Sequence, residues 1–221
     1  MTEMSRQPLL NCISKYLATW VSGEFSWPGQ NLAEERRTAK TILDFVGNSP
    51  RCFERQNTAG HITGSALVTD PRLERVVLTH HKRLGKWLQL GGHSDGHHLT
   101  WEVAMREAWE ESGIEGLRHL EVSPWPFSRN ALETNAAGDA PQLFDLDTHE
   151  IPAHKTEVAH IHYDIRYLIV APADAVPVIS DESHDVRWFE LAEARRLTGD
   201  PSMNRQFNKL EALRQFAFPR G

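Results

Sequence analysis

Apolar positions in residues 7–22 recur at helical spacing, with Leu9, Leu10, Ile13, Leu17, Trp20 and Val21 forming one stripe. Gly23 and then Pro28-Gly29 break it. Asn31 followed by Glu34 reads as a capping box opening a second helix through Ile42, Leu43 and Val46. From Gly60 the period shortens to that of strands. Ile62 to Thr69, Arg75 to His80 and Trp87 to Leu90 predict three strands, with His81 to Lys86 as a turn. The helical period returns over residues 100–112. Leu117 to Val122 and Trp125 to Phe127 then predict strand segments, and the small polar run 128–142 predicts a mobile loop, a lid being one role. Leu143 to Leu146 and Ala159 to Ala171 predict two more strands. Val186 to Phe189 predicts a last short one, and helices near 190–198 and 202–217 close the chain.

The strand over 159–171 alternates cleanly. Ile161, Tyr163, Ile165, Tyr167 and Ile169 fall on one face, and His160, His162, Asp164 and Arg166 on the other, with same-face neighbours about 6.6 Å apart. That polar face reads as the wet side of a sheet, as a pocket wall contacting phosphate, or as a transition-metal set of imidazoles and carboxylate. The pocket-wall reading makes His160, His162, Asp164 and Arg166 the candidate substrate-binding residues.

Composition narrows the picture. A hydrophobic content of 40% with seven Trp residues supports a folded core. The net charge of −6 provides no broad basic surface for duplex nucleic acid. Twelve histidines are unusual for this length. Cys12 and Cys52 show neither metal-ligand spacing nor a disulfide framework, so free buried thiols in a reducing cytosol are expected. No apolar run approaches the ~20 residues of a spanning helix, and no leader pattern opens the chain. A cytoplasmic protein with no membrane partner is expected. Residues 1–50 read as a helical N-terminal extension packed on a main domain of residues 51–221. A binding module or a homodimer arm is its functional alternative.

The densest chemistry lies in residues 91–114. Thr100 reads as a helix N-cap and Gly113 as its left-handed stop. Trp101, Ala104, Met105, Ala108 and Ser112 form a small, mostly apolar stripe. Glu107, Glu110 and Glu111 lie at i, i+3 and i+4, roughly opposite it. Three carboxylates together form either a solvated acidic face or a site for a hard divalent cation, which takes several oxygen ligands. Arg106 beside them can hold one carboxylate but cannot neutralise three. The pair Gly91-Gly92 permits close backbone approach, so the Gly91 carbonyl could join a coordination shell.

Gly92, Arg106, Glu107, Ala108, Glu110, Glu111, Gly113 and Ile114 fall on matching positions of the Nudix box, which the stretch resembles. His98 occupies the slot of that box's first glutamate. The wider stretch also resembles one bacterial Nudix branch through Phe53-Glu54-Arg55, Gly60-His61-Ile62-Thr63, His80-His81, Trp87-Leu88-Gln89, Gly91-Gly92-His93, His160-Ile161-His162-Tyr163-Asp164 and Trp188-Phe189. The resemblance covers residues 50–192 and leaves the N-terminal extension outside. It implies an α/β chain, a Nudix-type α/β/α sandwich with a mixed sheet. It also implies Mg²⁺- or Mn²⁺-dependent hydrolysis of a phosphoanhydride bond in a nucleoside diphosphate linked to another moiety. By the same resemblance, Gly91, Glu107, Glu110 and Glu111 are metal ligands, with Glu107 alternatively the general base. Arg106 orients a glutamate, and Glu182, before the last strand, supplies a base or an extra ligand. His98 carries no negative charge at neutral pH and suits softer cations, with Asp95 and Glu102 nearby to compensate. The alternative is a Nudix-fold nucleotide-binding or regulatory module with weak or no turnover. ADP-ribose, dinucleoside polyphosphates, nucleotide sugars and damaged nucleoside triphosphates all fit as small-molecule substrates.

Overall fold

The computed structural model describes residues 6–21, 27–122, 132–134, 140–153 and 158–218. Helix α1 (Gln7–Tyr16) runs into a π-helical turn at Leu17–Val21, and α2 spans Leu32–Asn48. The expected cap of α2 is present: the Asn31 side chain accepts the Glu34 backbone N–H at 3.2 Å. Strands β1 (Gly60–Thr69), β2 (Arg75–His81), β3 (Lys86–Leu88) and β4 (Leu90–His93) lead into α3 (Thr100–Ser112). Strands β5 (Arg118–Val122), β6 (Leu132–Thr134), β7 (Asp145–Ile151), β8 (His160–Val170) and β9 (Ser183–Glu190) follow, then α4 (Leu191–Thr198) and α5 (Pro201–Ala217).

Strand β1 is central. It pairs antiparallel with β2 and β4 and parallel with β8, and every one of its residues is buried. It is covered on both faces, so even its polar side chains His61, Thr63, Ser65 and Thr69 are buried. The ladder sets Thr63 opposite Asp164 and Gly64 opposite Ile165. Odd-numbered β1 residues therefore share one sheet face with even-numbered β8 residues.

Helix α3 lies on the Gly64 face. A Cβ at Gly64 would stand 2.7 Å from the Thr100 carbonyl oxygen and 2.9 Å from Val103 Cβ, so only glycine allows this approach. Helix α5 covers the opposite face, where Arg205 and Lys209 both reach Asp145. Helices thus flank a mixed sheet on both sides, the expected α/β/α arrangement. Helix α2 crosses the β7 edge: Glu35 pairs with Lys209 on the α5 side, and Phe45 stacks on Tyr163 on the other, ring centroids 3.9 Å apart. Leu9, Ile13, Tyr16, Trp20 and Ile42 of the N-terminal helices belong to the same core as the sheet. Buried Lys209 ties these parts together, donating to Asp145 Oδ1 at 2.7 Å and to the Tyr16 hydroxyl at 2.8 Å. A buried ammonium needs this full set of partners, since removing one leaves an uncompensated charge.

Several local expectations are revised. Leu99, not Thr100, is the N-cap of α3; the Thr100 hydroxyl is instead 2.6 Å from the Tyr167 hydroxyl, joining helix to sheet. The single strand expected over Trp87 to Leu90 is two, β3 and β4, pairing with β2 and β1 respectively. Leu143 and Phe144 are buried but precede their strand. The ladder with β8 starts at Asp145 and runs through the polar residues Asp147 to Glu150, as an edge strand can. Within the run expected to be loop, Leu132–Thr134 pairs with β5. Backbone ladders of this kind leave little trace in a side-chain pattern. The strand expected at Trp125 to Phe127 lies outside the described residues. Cys12 and Cys52 are buried and not in a disulfide. Among the described residues no helix is long and apolar enough to cross a membrane.

Candidate active site

The carboxylates of α3 do not share one solvated face. Glu111 is buried and Glu107 largely so, both turned towards β4, whereas Glu110 is exposed. The Gly91 N–H donates to Glu111 Oε2 at 3.1 Å. Gly91 adopts φ +155°, and a Cβ there would meet Ser65 Cα at 2.7 Å. A Cβ at Gly92 would stand 2.5 Å from the carboxyl carbon of Glu107. The glycine pair is what lets two carboxylates settle against the strand.

Arg106 spans the group. Its guanidinium lies 2.8 Å from Glu107 Oε1 and 3.0 Å from Glu110 Oε2, and it donates to the His93 carbonyl at 3.4 Å. Burial pushes the Glu111 carboxyl up to about 8, against the Gly91 hydrogen bond, and the charges of Glu107, Glu182 and Glu110 add to the rise. Burial also raises Glu107, opposed by Arg106 and reinforced by Glu110 and Glu182. Glu182 is therefore close enough to act on both, although it is remote in sequence. The Lys82 N–H donates to the Glu182 carbonyl at 3.1 Å, fixing this stretch before β9 to the end of β2.

These residues fit a hard divalent cation. The donors are carboxylate oxygens, burial makes Glu107 and Glu111 hold their protons abnormally well, and the missing Gly92 side chain lets the Glu107 carboxylate lie against the strand. His98 is half-buried ahead of α3, its ring 5.9 Å from that of His97. Glu102 is paired with His97 at 2.7 Å, and the charge of Asp95 acts on His61.

The other sequence-derived candidates lie across the sheet. Asp164 is buried and accepts from Thr63, Ser65, Gln89 and Arg166 at 2.7–3.0 Å. Arg166, also buried, donates to Asp164, Asp145, Asp147 and Ser202. Burial alone would raise Asp145, but Arg205, then Lys209 and Arg166, hold it well below the usual carboxylate range. Asp164 and Arg166 are thus fully engaged with protein partners. His160 and His162 are less committed and stand beside His61, His93 and His149. Strand alternation alone paired His160 with His162. The other three arrive through strand register; the histidine count and the place of His61 and His93 in the resemblance were signals, but neither brought them to one point.

The family model for the NUDIX domain matches residues 61–210, from β1 into α5. The chain belongs to the Nudix family. As a Nudix pyrophosphohydrolase it has its box on β4 and α3, and α1 and α2 precede the matched domain. No curated protein matches the chain by sequence. Among solved structures it is similar to an Ap4A hydrolase binary complex from C. elegans, at 16% identity and TM-score 0.47 over 69% of this chain and 96% of that one. A NUDIX-family hydrolase from Clostridium perfringens gives 21% and 0.47 over 69% and 97%. The MutT protein from Methanosarcina mazei Go1 gives 19% and 0.46 over 70% and 95%. Family membership rests on the domain match, and these likenesses add nothing about substrate.

Proposed function

We propose that the chain hydrolyses a phosphoanhydride bond in a nucleoside diphosphate linked to another moiety, with Mg²⁺ or Mn²⁺. The observation that carries this reading is Glu111: a buried carboxyl, met by one backbone N–H, with Glu107 and Glu182 close by. A structural acidic residue in that position would carry a cationic partner. Glu107, Glu110, Glu111 and the Gly91 carbonyl would hold the ion, which supplies charge neutralisation on the diphosphate and acidifies water when bound. Arg106 sets the spacing of Glu107 and Glu110 through its two ion pairs. Glu182, exposed beside them, takes the proton of the attacking water. His160 and His162 are proposed as substrate contacts only where they border solvent. Asp164 and Arg166 would act behind them, by holding that wall in place.

A second reading, a nucleotide-binding module with weak turnover, is favoured by His98 in place of a carboxylate. One experiment separates the two. Phosphate release is measured over a panel of ADP-ribose, dinucleoside polyphosphates, nucleotide sugars and nucleoside triphosphates, with Mg²⁺ or Mn²⁺. Turnover by the wild type that disappears in Glu111→Gln supports the hydrolase. Turnover only in His98→Glu supports the binder.

A further inference from the structure

We propose a second metal site, built from His61, His160 and His162, for a zinc-class transition-metal ion with one coordination position open to solvent. It is separate from the carboxylate group. His61 and His162 face each other across the β1–β8 ladder, on the same side as Thr63 and Asp164. Gly64 and Gly92 look the other way, towards α3 and Glu107.

Three observations carry the site. The ligating nitrogens of His61, His160 and His162 all lie within 4.8 Å of one another. His160 Nε2 and His162 Nε2 are 3.2 Å apart. Two imidazoles on a tetrahedral ion, with metal–nitrogen bonds of about 2.0–2.1 Å, place their nitrogens about 3.3 Å apart. The pair therefore needs almost no movement to bind.

His61 supplies the second observation. It is 1% exposed, and neither ring nitrogen has a hydrogen bond of normal geometry, although the Asn57 carbonyl lies near enough to favour its charged form. One carbonyl at poor geometry cannot match both nitrogens of a buried imidazole, so a structural role alone leaves His61 unexplained. A metal ion between the three rings would supply the missing partner.

The third is orientation. His160 Nδ1 is 2.8 Å from the Val158 carbonyl, and a carbonyl can only accept. The proton is therefore on Nδ1, leaving the Nε2 lone pair directed at His162. This is the backing that metal-ligating histidines ordinarily have. Nitrogen-only ligation selects zinc-class ions over Mg²⁺. Three protein ligands leave a fourth position, and a cavity of about 220 Å³ bordered by Arg55, Asn57 and Val158 opens onto His61 and His160. Water or a small anion would complete the shell there.

The test is a Co²⁺ titration of the full chain in excess Mg²⁺, read by the visible bands of tetrahedral Co²⁺ and by stoichiometry. The wild type and Glu111→Gln should each bind one Co²⁺ with tetrahedral bands. His160→Gln, at a half-buried strand end, should stay folded by circular dichroism and bind at least about tenfold more weakly, since even outer-shell losses cost that much. His162→Gln should do the same. Absence of tetrahedral bands in the wild type, unchanged binding in His160→Gln, or loss of the bands in Glu111→Gln would each overturn the site. None of these outcomes depends on hydrolysis, so this site and the phosphoanhydride reading fail separately.

Discussion

Gly92 lies against the carboxylate of Glu107, with room for a hydrogen and none for a methyl: an added Cβ would stand 2.5 Å from Glu107 Cδ and 2.6 Å from either carboxylate oxygen. The obstructing atoms are the far end of a side chain, so the fold can adjust by turning Glu107 away. Gly92→Ala should therefore keep the melting temperature within a few degrees and lower turnover by about 10²-fold, the usual effect of ~1 Å misplacement. Thermal denaturation and kcat on the same preparation check this. A large fall in melting temperature with unchanged specific activity of the folded fraction would contradict it.

Arg106 holds Glu107 and Glu110 with two separate nitrogens. Lysine has one point charge and no fork, and it cannot span both. Arg106→Lys should lower kcat by about 10–100-fold, as outer-shell changes do at metal sites. Stability should change by less than about 1 kcal/mol because these pairs are partly exposed. Steady-state kinetics over a Mg²⁺ titration would also show a raised metal requirement.

Asp145 balances Arg166, Arg205 and Lys209 within one buried cluster. Asp145→Asn leaves three cations around a neutral amide. The expected cost is about 3–5 kcal/mol, measured by urea unfolding. Because Lys209 also holds Tyr16 and Glu35, protease sensitivity in the N-terminal helices should rise with it. A loss under 1 kcal/mol would show that the cluster is not what joins these helices to the sheet.

His119 gives a pH signature away from both sites. Its Nε2 donates to the Trp101 carbonyl at 3.1 Å, while Nδ1 is buried without a partner. Burial pushes its pKa down to about 4, against the Trp101 bond, so protonation would leave an N–H facing no acceptor. The unfolded chain binds that proton near pH 6.5 and the folded one only near 4. Stability should therefore fall as pH drops from 6.5 towards 4, by up to about 3 kcal/mol from this group. His119→Phe should flatten that part of the profile, seen as a smaller difference in urea midpoint between pH 7 and pH 4.5.

What the sequence determined is local. The 3.6-residue period and Gly113 define α3, with Gly113 as its C-cap at φ +63°. Capping chemistry at Asn31 placed the start of α2, and the glycine pair marked where backbone and carboxylates meet. Such features depend on neighbours within a turn or two, so a linear pattern contains them. Even there, the pattern could not tell which glutamates are buried, because that depends on what α3 packs against. Only the tertiary structure turned Glu107 and Glu111 to β4 and left Glu110 to Arg106 and solvent. It also brought Glu182 to them, and set His61 opposite His162 through a parallel ladder whose Thr63–Asp164 partners are 101 residues apart. Register between distant strands is fixed by the packing of whole faces rather than by any local preference, and a shift of one residue would turn every one of these side chains to the other side.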